Sequence, residues 1–170
     1  NENKDKRIGN SVLLDLLRRA RCFGINLAKL DIRQESTRHS QLVSEILKNN
    51  FKIRYENFDE DKKIQLISKL INNKKKIKIT KIKNKLNKEV WNTFEVISKQ
   101  PNECLGAYVI SMTSNSSDIL NVYYLQKLAK IKQPLRVVPL LETLDDLKNG
   151  KKIMEKLFSL SWYRKLTNHK

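Results

Sequence analysis

Glycine and histidine are both scarce in this 170-residue sequence. The four glycines are Gly9, Gly24, Gly106 and Gly150. They are too dispersed for a P-loop or a dinucleotide-binding fingerprint, because both motifs bring clustered glycines close to phosphate. The two histidines, His39 and His169, are accompanied by no GxSxG pattern. The sequence therefore excludes these phosphate-binding motifs and predicts no catalytic triad.

Cysteine and long apolar runs are also rare. Cys22 and Cys104 are far apart and have no CxxC spacing, so we predict two reduced, partly buried thiols rather than a disulfide framework or a zinc site. No segment approaches the roughly 20 apolar residues that cross a bilayer, and none resembles a signal peptide. These absences predict a cytoplasmic protein without a membrane partner.

Basic residues, in contrast, are abundant: the formal net charge is +17, and 26 of the 35 basic residues are lysine. Such a charge raises nucleic acid as a partner. However, Lys, Asn and Ile are all encoded by A- and T-rich codons, so we attribute much of the charge to genome composition. The Lys-rich connection at 72–88 contains no aromatic residue that could stack on bases. We interpret it as a solvated loop, with nucleic-acid binding as the less favoured alternative.

Apolar periodicity predicts that strands and helices alternate along much of the chain. Helices are predicted at 11–21, 40–49, 59–71, 88–100 and 117–129, and strands at 25–32, 107–112 and 135–141. Gly24 is expected to cap the first helix, Asp59 to begin the third, and Thr143 to begin another after the last strand. Strands separated by helices predict an α/β fold with a parallel sheet. Polar residues after each strand suit the C-terminal mouth of a β/α barrel.

A polar cluster follows the first predicted strand. Arg33 and Arg38 lie five residues apart, beside Glu35 and His39, where a buried strand is expected to end. Arginine binds phosphate or carboxylate in a bidentate manner, so the cluster predicts a phosphorylated anion as ligand. An internal salt-bridge cluster of Arg33, Glu35 and Arg38 explains the same residues equally well. Local sequence leaves both interpretations open.

Glu142 directly follows the predicted strand at 135–141. A carboxylate there either caps the positive end of the next helix or coordinates a hard cation. Local sequence favours the helix cap, because one carboxylate alone does not define a magnesium site. Asp145 and Asp146 suit the first turn of the next helix, and Asp118 likewise suits a helix cap.

Five segments carry a family resemblance through their order and spacing. They are Phe23-Gly24-Ile25, LDIRQESTRH at 30–39, Tyr108 to Met112 with Ser117 to Leu120, Val138 to Leu147, and Trp162-Tyr163-Arg164. The string DIRQESTRH is highly specific. From about Leu13 to Arg164, with a poor match near 50–95, the sequence resembles the phosphoenolpyruvate carboxylase family.

The resemblance implies a β/α barrel of the phosphoenolpyruvate-binding type with many additional helices, in a homotetrameric enzyme that uses Mg²⁺ or Mn²⁺. Members of this family convert phosphoenolpyruvate and bicarbonate to oxaloacetate and phosphate. Carried over by position, Arg33 is expected to hold the substrate phosphate, and Glu142 to supply one metal ligand. Leu141 replaces the aromatic residue more usual before that glutamate, a change we expect to be tolerated.

The resemblance also implies that residues 1–170 are an incomplete piece of the catalytic barrel region. The family's catalytic histidine motif, second metal carboxylate, lysine-bearing segment and glycine- and arginine-rich loop all fall outside them. We therefore expect the piece to be inactive alone, and expect Trp162 and Tyr163 to pack against sequence beyond its end. The alternative is a decayed, non-catalytic remnant that binds nucleic acid through its Lys-rich stretch.

Overall fold

The structure, a computed structural model, describes residues 12–24, 28–73, 77, 79 and 82–167. The helices are α1 (Val12–Phe23), α2 (Ser36–Phe51), α3 (Glu60–Asn72), α4 (Lys85–Lys99), α5 (Ser116–Leu128), α6 (Leu144–Ser159) and α7 (Ser161–Thr167). The strands are β1 (Leu30–Glu35), β2 (Leu105–Ser111) and β3 (Val137–Pro139). Short 3-10 turns occupy Tyr55–Asn57 and Asn102–Cys104.

The three strands form one parallel sheet in the order β1-β2-β3. Helices connect each strand to the next, as parallel pairing requires. The α/β prediction with a parallel sheet is therefore confirmed. Closure into a barrel stays a prediction, since three strands do not close a sheet on themselves.

The two faces of the sheet have different surroundings. Residues in register across parallel strands point to the same side, and successive residues alternate between sides. Ile32 pairs with Tyr108, and Tyr108 with Val137; Tyr108 and Val137 belong to the hydrophobic core, and Ile32 packs against it. Arg33 and its register neighbours at 109 and 138 lie on the opposite face, which is not part of that core. We call this opposite side the open face.

Helix α5 is the centre of the core. It is buried on nearly every side, and packs against α2, α3 and β3. Each fully buried aliphatic side chain in such a helix contributes about 1.5–3 kcal/mol, and Ile119, Leu120 and Leu125 are completely buried. The core therefore lies between the helices and one face of the sheet, leaving the other face open.

Most predicted helix ends are confirmed to within two residues, because their signals are local. The starts predicted at 40 and 88 are wrong, since α2 begins at Ser36 and α4 at Lys85. Asp59 caps α3 by accepting the Lys62 N–H, and Gly24 adopts a left-handed conformation after α1. Helix α5 begins one residue earlier than expected: Asn115 is its N-cap, and Asp118 completes the capping box. The predicted strand start at 25–27 lies outside the described residues, as do several residues of the Lys-rich stretch.

The predicted boundaries of β1 and β3 are wrong. Strand β1 continues to Glu35 because Gln34 and Glu35 pair with Ile110 and Ser111, and the helix begins at once with Ser36. The strand is also not buried: it is an edge strand, and Leu30 is 67% exposed. Strand β3 is limited to 137–139, and two hydrogen bonds extend its pairing with β2: the Tyr108 N–H donates to the Arg136 carbonyl, and the Leu140 N–H donates to the Ile110 carbonyl.

Two expectations about side-chain burial are also wrong. Cys22 was expected to be partly buried but is exposed, because α1 has no buried residue in the described part of the chain. Cys104 is half-buried as expected, and both thiols are free. Tyr163 is buried against the rings of Tyr123 and Phe158, so it packs within the chain rather than against sequence beyond its end. Across the described ranges, no helix has both the length and the apolar character that crossing a bilayer demands.

Candidate functional site

The carboxyl ends of all three strands lie at one edge of the sheet, because the strands are parallel. The chain leaves β1 at Ser36, β2 at Met112 and β3 at Leu140, from which it runs to Glu142. We call Ser36, Met112 and Glu142 the sheet mouth. In parallel α/β folds, ligands bind outside the carboxyl ends of strands, so this edge is the candidate site.

Arg33 lies on the open face, two residues before the end of β1. Its side chain is exposed, and among the described residues it forms no ion pair with Glu35 or any other carboxylate. The carboxylate of Glu35 instead accepts a hydrogen bond from the Thr37 hydroxyl. Arg38 is half-buried on α2 and is likewise not ion-paired within this part of the structure. The salt-bridge interpretation is therefore wrong, and the Arg33 guanidinium is available for an anion.

Glu142 is not the cap of α6. Thr143 caps that helix: its hydroxyl accepts from the Asp146 N–H at 3.1 Å, and its own N–H donates to the Asp146 carboxylate at 3.0 Å. The Glu142 carboxylate, which is exposed, instead accepts the backbone N–H of Met112 at 3.2 Å. The helix-cap interpretation of Glu142 is wrong, and its carboxylate crosses from the β3 loop to the end of β2.

Met112 joins the three strand ends through its backbone. Its N–H donates to the Glu142 carboxylate, and its carbonyl oxygen accepts a hydrogen bond from the Ser36 hydroxyl at 2.6 Å. Its φ is 52°, in the left-handed region that non-glycine residues seldom adopt. The Thr113 hydroxyl, fully buried, donates to the Ile110 carbonyl at 3.1 Å and closes the same turn. No sequence signal marked Met112, because the feature lies in its backbone.

His39 belongs to the core rather than to the mouth. Its Nε2 lies 2.8 Å from the Tyr108 hydroxyl, and its ring meets Phe94 edge-on. Burial lowers the pKa of His39 to about 3, so the imidazole is neutral at physiological pH. Its other nitrogen, Nδ1, has no hydrogen-bond partner among the described residues. The chemistry of His39 is therefore that of a structural residue.

The remaining carboxylates near the site have other partners. Asp118 accepts the N–H groups of Ser114 and Asn115, and burial raises its pKa above the ordinary range. Hydrogen bonds from Thr143 lower the pKa of Asp146. Within the described part of the chain, no three His, Cys, Asp or Glu side chains group closely enough to hold a metal ion. Glu142 offers a hard oxygen that suits Mg²⁺ or Mn²⁺, as a single ligand of a larger set.

Asp31 serves the opposite end of the sheet. Its carboxylate accepts the Ala107 N–H at 2.7 Å, where the β1–β2 register shifts between Leu30 and Ile32. A Cβ at Gly106 would lie 2.2 Å from the same carboxylate oxygen, so a larger residue at 106 would displace it. Asp31, two positions before Arg33 in the motif, thus serves strand pairing, a role that the sequence did not reveal.

Comparison with known proteins gives a consistent result. The family model described as phosphoenolpyruvate carboxylase matches residues 1–170. A protein named phosphoenolpyruvate carboxylase from Acinetobacter baylyi is 43% identical over 166 residues, covering 92% of this chain and 18% of that protein. Phosphoenolpyruvate carboxylase 1 of Flaveria trinervia is 40% identical, covering 98% of this chain and 17% of its own length. The Histophilus somni protein of the same name is 42% identical, at 96% and 19% coverage.

These relatives are much longer than the sequence that matches them: the chain spans less than a fifth of the length of each. The match nevertheless covers every element of the fold, and includes all three strands that end at the mouth and the open-face Arg33. The chain belongs to the phosphoenolpyruvate carboxylase family.

Proposed function

We propose that this chain supplies part of the active site of a phosphoenolpyruvate carboxylase, which forms oxaloacetate and phosphate from phosphoenolpyruvate and bicarbonate. The observation that carries the proposal is that the Arg33 guanidinium has no carboxylate partner among the described residues. Arg33 also lies on the open face, near the mouth. A guanidinium without an ion-pair partner suits a phosphate or carboxylate ligand. Family membership identifies which ligand to expect.

The reaction requires positive charge at the site. Bicarbonate oxygen attacks the phosphorus of phosphoenolpyruvate, the bond from phosphorus to the enol oxygen breaks, and carboxyphosphate and an enolate form. Carboxyphosphate then releases carbon dioxide and phosphate, and the enolate carbon bonds to the carbon dioxide to give oxaloacetate. Arg33 holds the phosphoryl group by paired N–H donation, which offsets the charge of two anionic reactants.

Glu142 would hold a divalent cation, Mg²⁺ or Mn²⁺, through the carboxylate that faces Met112. When bound, such an ion supplies Lewis-acid stabilisation of the enolate oxygen. The remaining ligands, the other catalytic groups, the closed barrel and a homotetrameric assembly would come from sequence outside residues 1–170. The Glu142 carboxylate is exposed, and among the described residues its one hydrogen bond is with the Met112 N–H. Its oxygens therefore keep lone pairs for a cation.

The test is a full-length chimera in which residues 1–170 replace the matching segment of the Acinetobacter baylyi relative. We expect bicarbonate-dependent oxaloacetate formation, measured by coupled reduction of the product. Arg33→Ala should lower kcat/KM for phosphoenolpyruvate by about 100-fold or more, because it removes a charge-assisted contact to the reacting group. Arg33→Lys should recover part of that loss, since it keeps the charge but not the paired geometry.

Arg54→Ala is the matched control, because Arg54 is exposed in the loop after α2, away from the mouth. It should leave kcat/KM within about twofold of the unmodified chimera. An active chimera in which Arg33→Ala is as active as Arg54→Ala would refute the phosphate role of Arg33. A folded chimera without bicarbonate-dependent activity would contradict the proposed function of the segment as a whole.

A further inference from the structure

The backbone conformation of Met112 has no local explanation. Three non-glycine residues have positive φ in the described ranges: Lys52, Met112 and Lys130. Lys52 and Lys130 follow helices α2 and α5, where a left-handed residue commonly ends a helix. Met112 follows a strand instead. A strained conformation of this kind persists only where surrounding contacts hold it, and such residues concentrate at functional sites.

Two hydrogen bonds hold the Met112 peptide groups from opposite sides. The Ser36 hydroxyl donates to the Met112 carbonyl at 2.6 Å, and the Met112 N–H donates to the Glu142 carboxylate at 3.2 Å. Ser36 is only 2% exposed, so its bond is shielded from competing water. The methionine side chain itself is 60% exposed and adds little packing. The contacts therefore act on the backbone, not on the side chain.

Ser36 connects the start of α2 to the end of β2. It is the first residue of α2, and the N-cap of that helix, Glu35, makes no side-chain capping bond. Ser36 lies one position inside the helix, beyond the N-cap position at which a serine oxygen accepts a backbone N–H. Here its hydroxyl reaches across to β2, directly beyond the last register pair of Glu35 and Ser111. The start of α2 is thus tied to the mouth.

The geometry points to Ser36 and Met112 as positioning residues for the Glu142 carboxylate. Ser36 fixes the Met112 peptide in its left-handed conformation, and the Met112 N–H then restricts the rotation of the carboxylate. The result is a continuous connection from β1, which carries Arg33, to the proposed metal ligand after β3. Hydrogen bonds to a ligating carboxylate orient it and tune its affinity for the metal. This inference rests on the proposed function of Glu142 as a metal ligand.

The experiment uses the full-length chimera, with Mn²⁺ as the probe and electron paramagnetic resonance to measure free ion without substrate. Glu142→Gln should weaken Mn²⁺ binding by about tenfold or more, and Ser36→Ala by about 3- to 10-fold, since it acts through one intervening group. Ser44→Ala, two turns further along α2 and half-buried, is the control and should bind Mn²⁺ as the unmodified protein does.

Met112→Gly separates positioning from folding, and remains informative if Ser36→Ala does not fold. Glycine adopts φ 52° without a Cβ penalty, so the thermal midpoint should not fall, but the freer peptide should weaken Mn²⁺ binding by about 2- to 5-fold. If Glu142→Gln weakens Mn²⁺ binding while Ser36→Ala and Met112→Gly do not, the positioning inference is overturned and the role of Glu142 stands. If Glu142→Gln binds Mn²⁺ normally, the proposed metal ligand itself is wrong, and the inference is overturned with it.

Discussion

At the scale of single residues, one short motif serves several unrelated purposes. In the string from Asp31 to His39, Asp31 accepts a strand N–H, Arg33 faces the open side, Ser36 reaches Met112, and His39 lies in the core. The sequence showed that polar residues cluster here but did not separate these roles. Alternation along β1 and the start of α2 at Ser36 decide which side each residue faces, and both depend on the register with β2.

Glu142 shows why local reasoning favoured the wrong role. A carboxylate before a helix is usually explained by the helix dipole, and Thr143 with Asp146 gives a complete cap that needs no further acid. The capping box was readable from spacing alone. The partner of Glu142 was not, because Met112 lies 30 residues away in sequence.

His39 provides a prediction about stability and pH. Burial lowers its pKa to about 3 in the folded chain, against 6.5 ordinarily. Between these values the unfolded chain binds a proton that the folded chain does not, so the free energy of unfolding falls as the pH falls. This one group should contribute about 1.4 kcal/mol per pH unit between about pH 3 and pH 6.5, and nothing above that range. Urea unfolding of the 170-residue chain at several pH values, followed by tryptophan fluorescence, measures the slope.

Two variants isolate the contribution of His39. His39→Gln should be less stable at pH 8, but its unfolding free energy should decline less steeply toward pH 4 than that of the unmodified chain. Tyr108→Phe removes the hydroxyl beside Nε2 and keeps the imidazole buried, so the steep decline should remain. Equal slopes in His39→Gln and the unmodified chain would show that the histidine is not the titrating group.

At the scale of elements, helix ends could be predicted from the sequence, but hydrogen bonds between helices could not. Asp59, Thr143 and Gly24 act within three or four residues of their own position, which is the range that a sequence pattern covers. Lys127 is a contrasting case. From α5 it donates to the carbonyls of Leu70 at 2.8 Å and Ile71 at 2.5 Å, and also to that of Asn73. It therefore satisfies the open carboxyl end of α3 from another helix.

Lys127→Met tests this tie between helices. Methionine keeps most of the aliphatic stem but cannot donate, so the last carbonyls of α3 lose a charged partner and should be left to solvent. We expect the chain to lose about 1.5–3 kcal/mol of unfolding free energy, the range for hydrogen bonds that involve a charged group. Amide hydrogen exchange should accelerate in the last turn of α3 more than in α4.

Lys132→Met is the control for general effects of removing a lysine, because Lys132 is exposed in the loop after α5. It should change the free energy of unfolding by less than about 0.5 kcal/mol. If the two substitutions cost the same, the three carbonyl contacts of Lys127 do not stabilise α3.

At the scale of the whole molecule, the sheet has one covered face and one open face. The hydrophobic core cluster lies on the helix side. The open face carries Arg33 and the buried Val109, and it borders a groove of about 660 Å³ lined in part by Asp31, Val109 and Val138. A strand-and-helix alternation predicted the parallel sheet correctly, because each βα unit is a local pattern. The exposure of Arg33 on this face depends on its register with β2, a long-range pairing that local sequence patterns do not encode.

The 170-residue chain alone lacks several groups that the proposed reaction needs. Within its described residues, Glu142 is a solitary metal-ligand candidate, without two further His, Cys, Asp or Glu side chains close enough to complete a site. An arginine and one carboxylate provide one contact to the phosphate and one ligand for the metal. They provide no contact for the bicarbonate or the leaving enolate, and they do not complete the coordination of the metal. Catalysis by transition-state stabilisation needs those donors in fixed positions at the same time.

We therefore expect the purified chain to form no oxaloacetate from phosphoenolpyruvate and bicarbonate above the rate without protein, at any Mg²⁺ or Mn²⁺ concentration, under conditions where the full-length chimera is active. Circular dichroism of the same sample establishes that its helices are folded. Bicarbonate-dependent product from the isolated chain, abolished by Arg33→Ala, would mean that residues 1–170 already contain a complete site. In that case the assignment of the missing ligands to other sequence would be wrong, while the role of Arg33 would be strengthened.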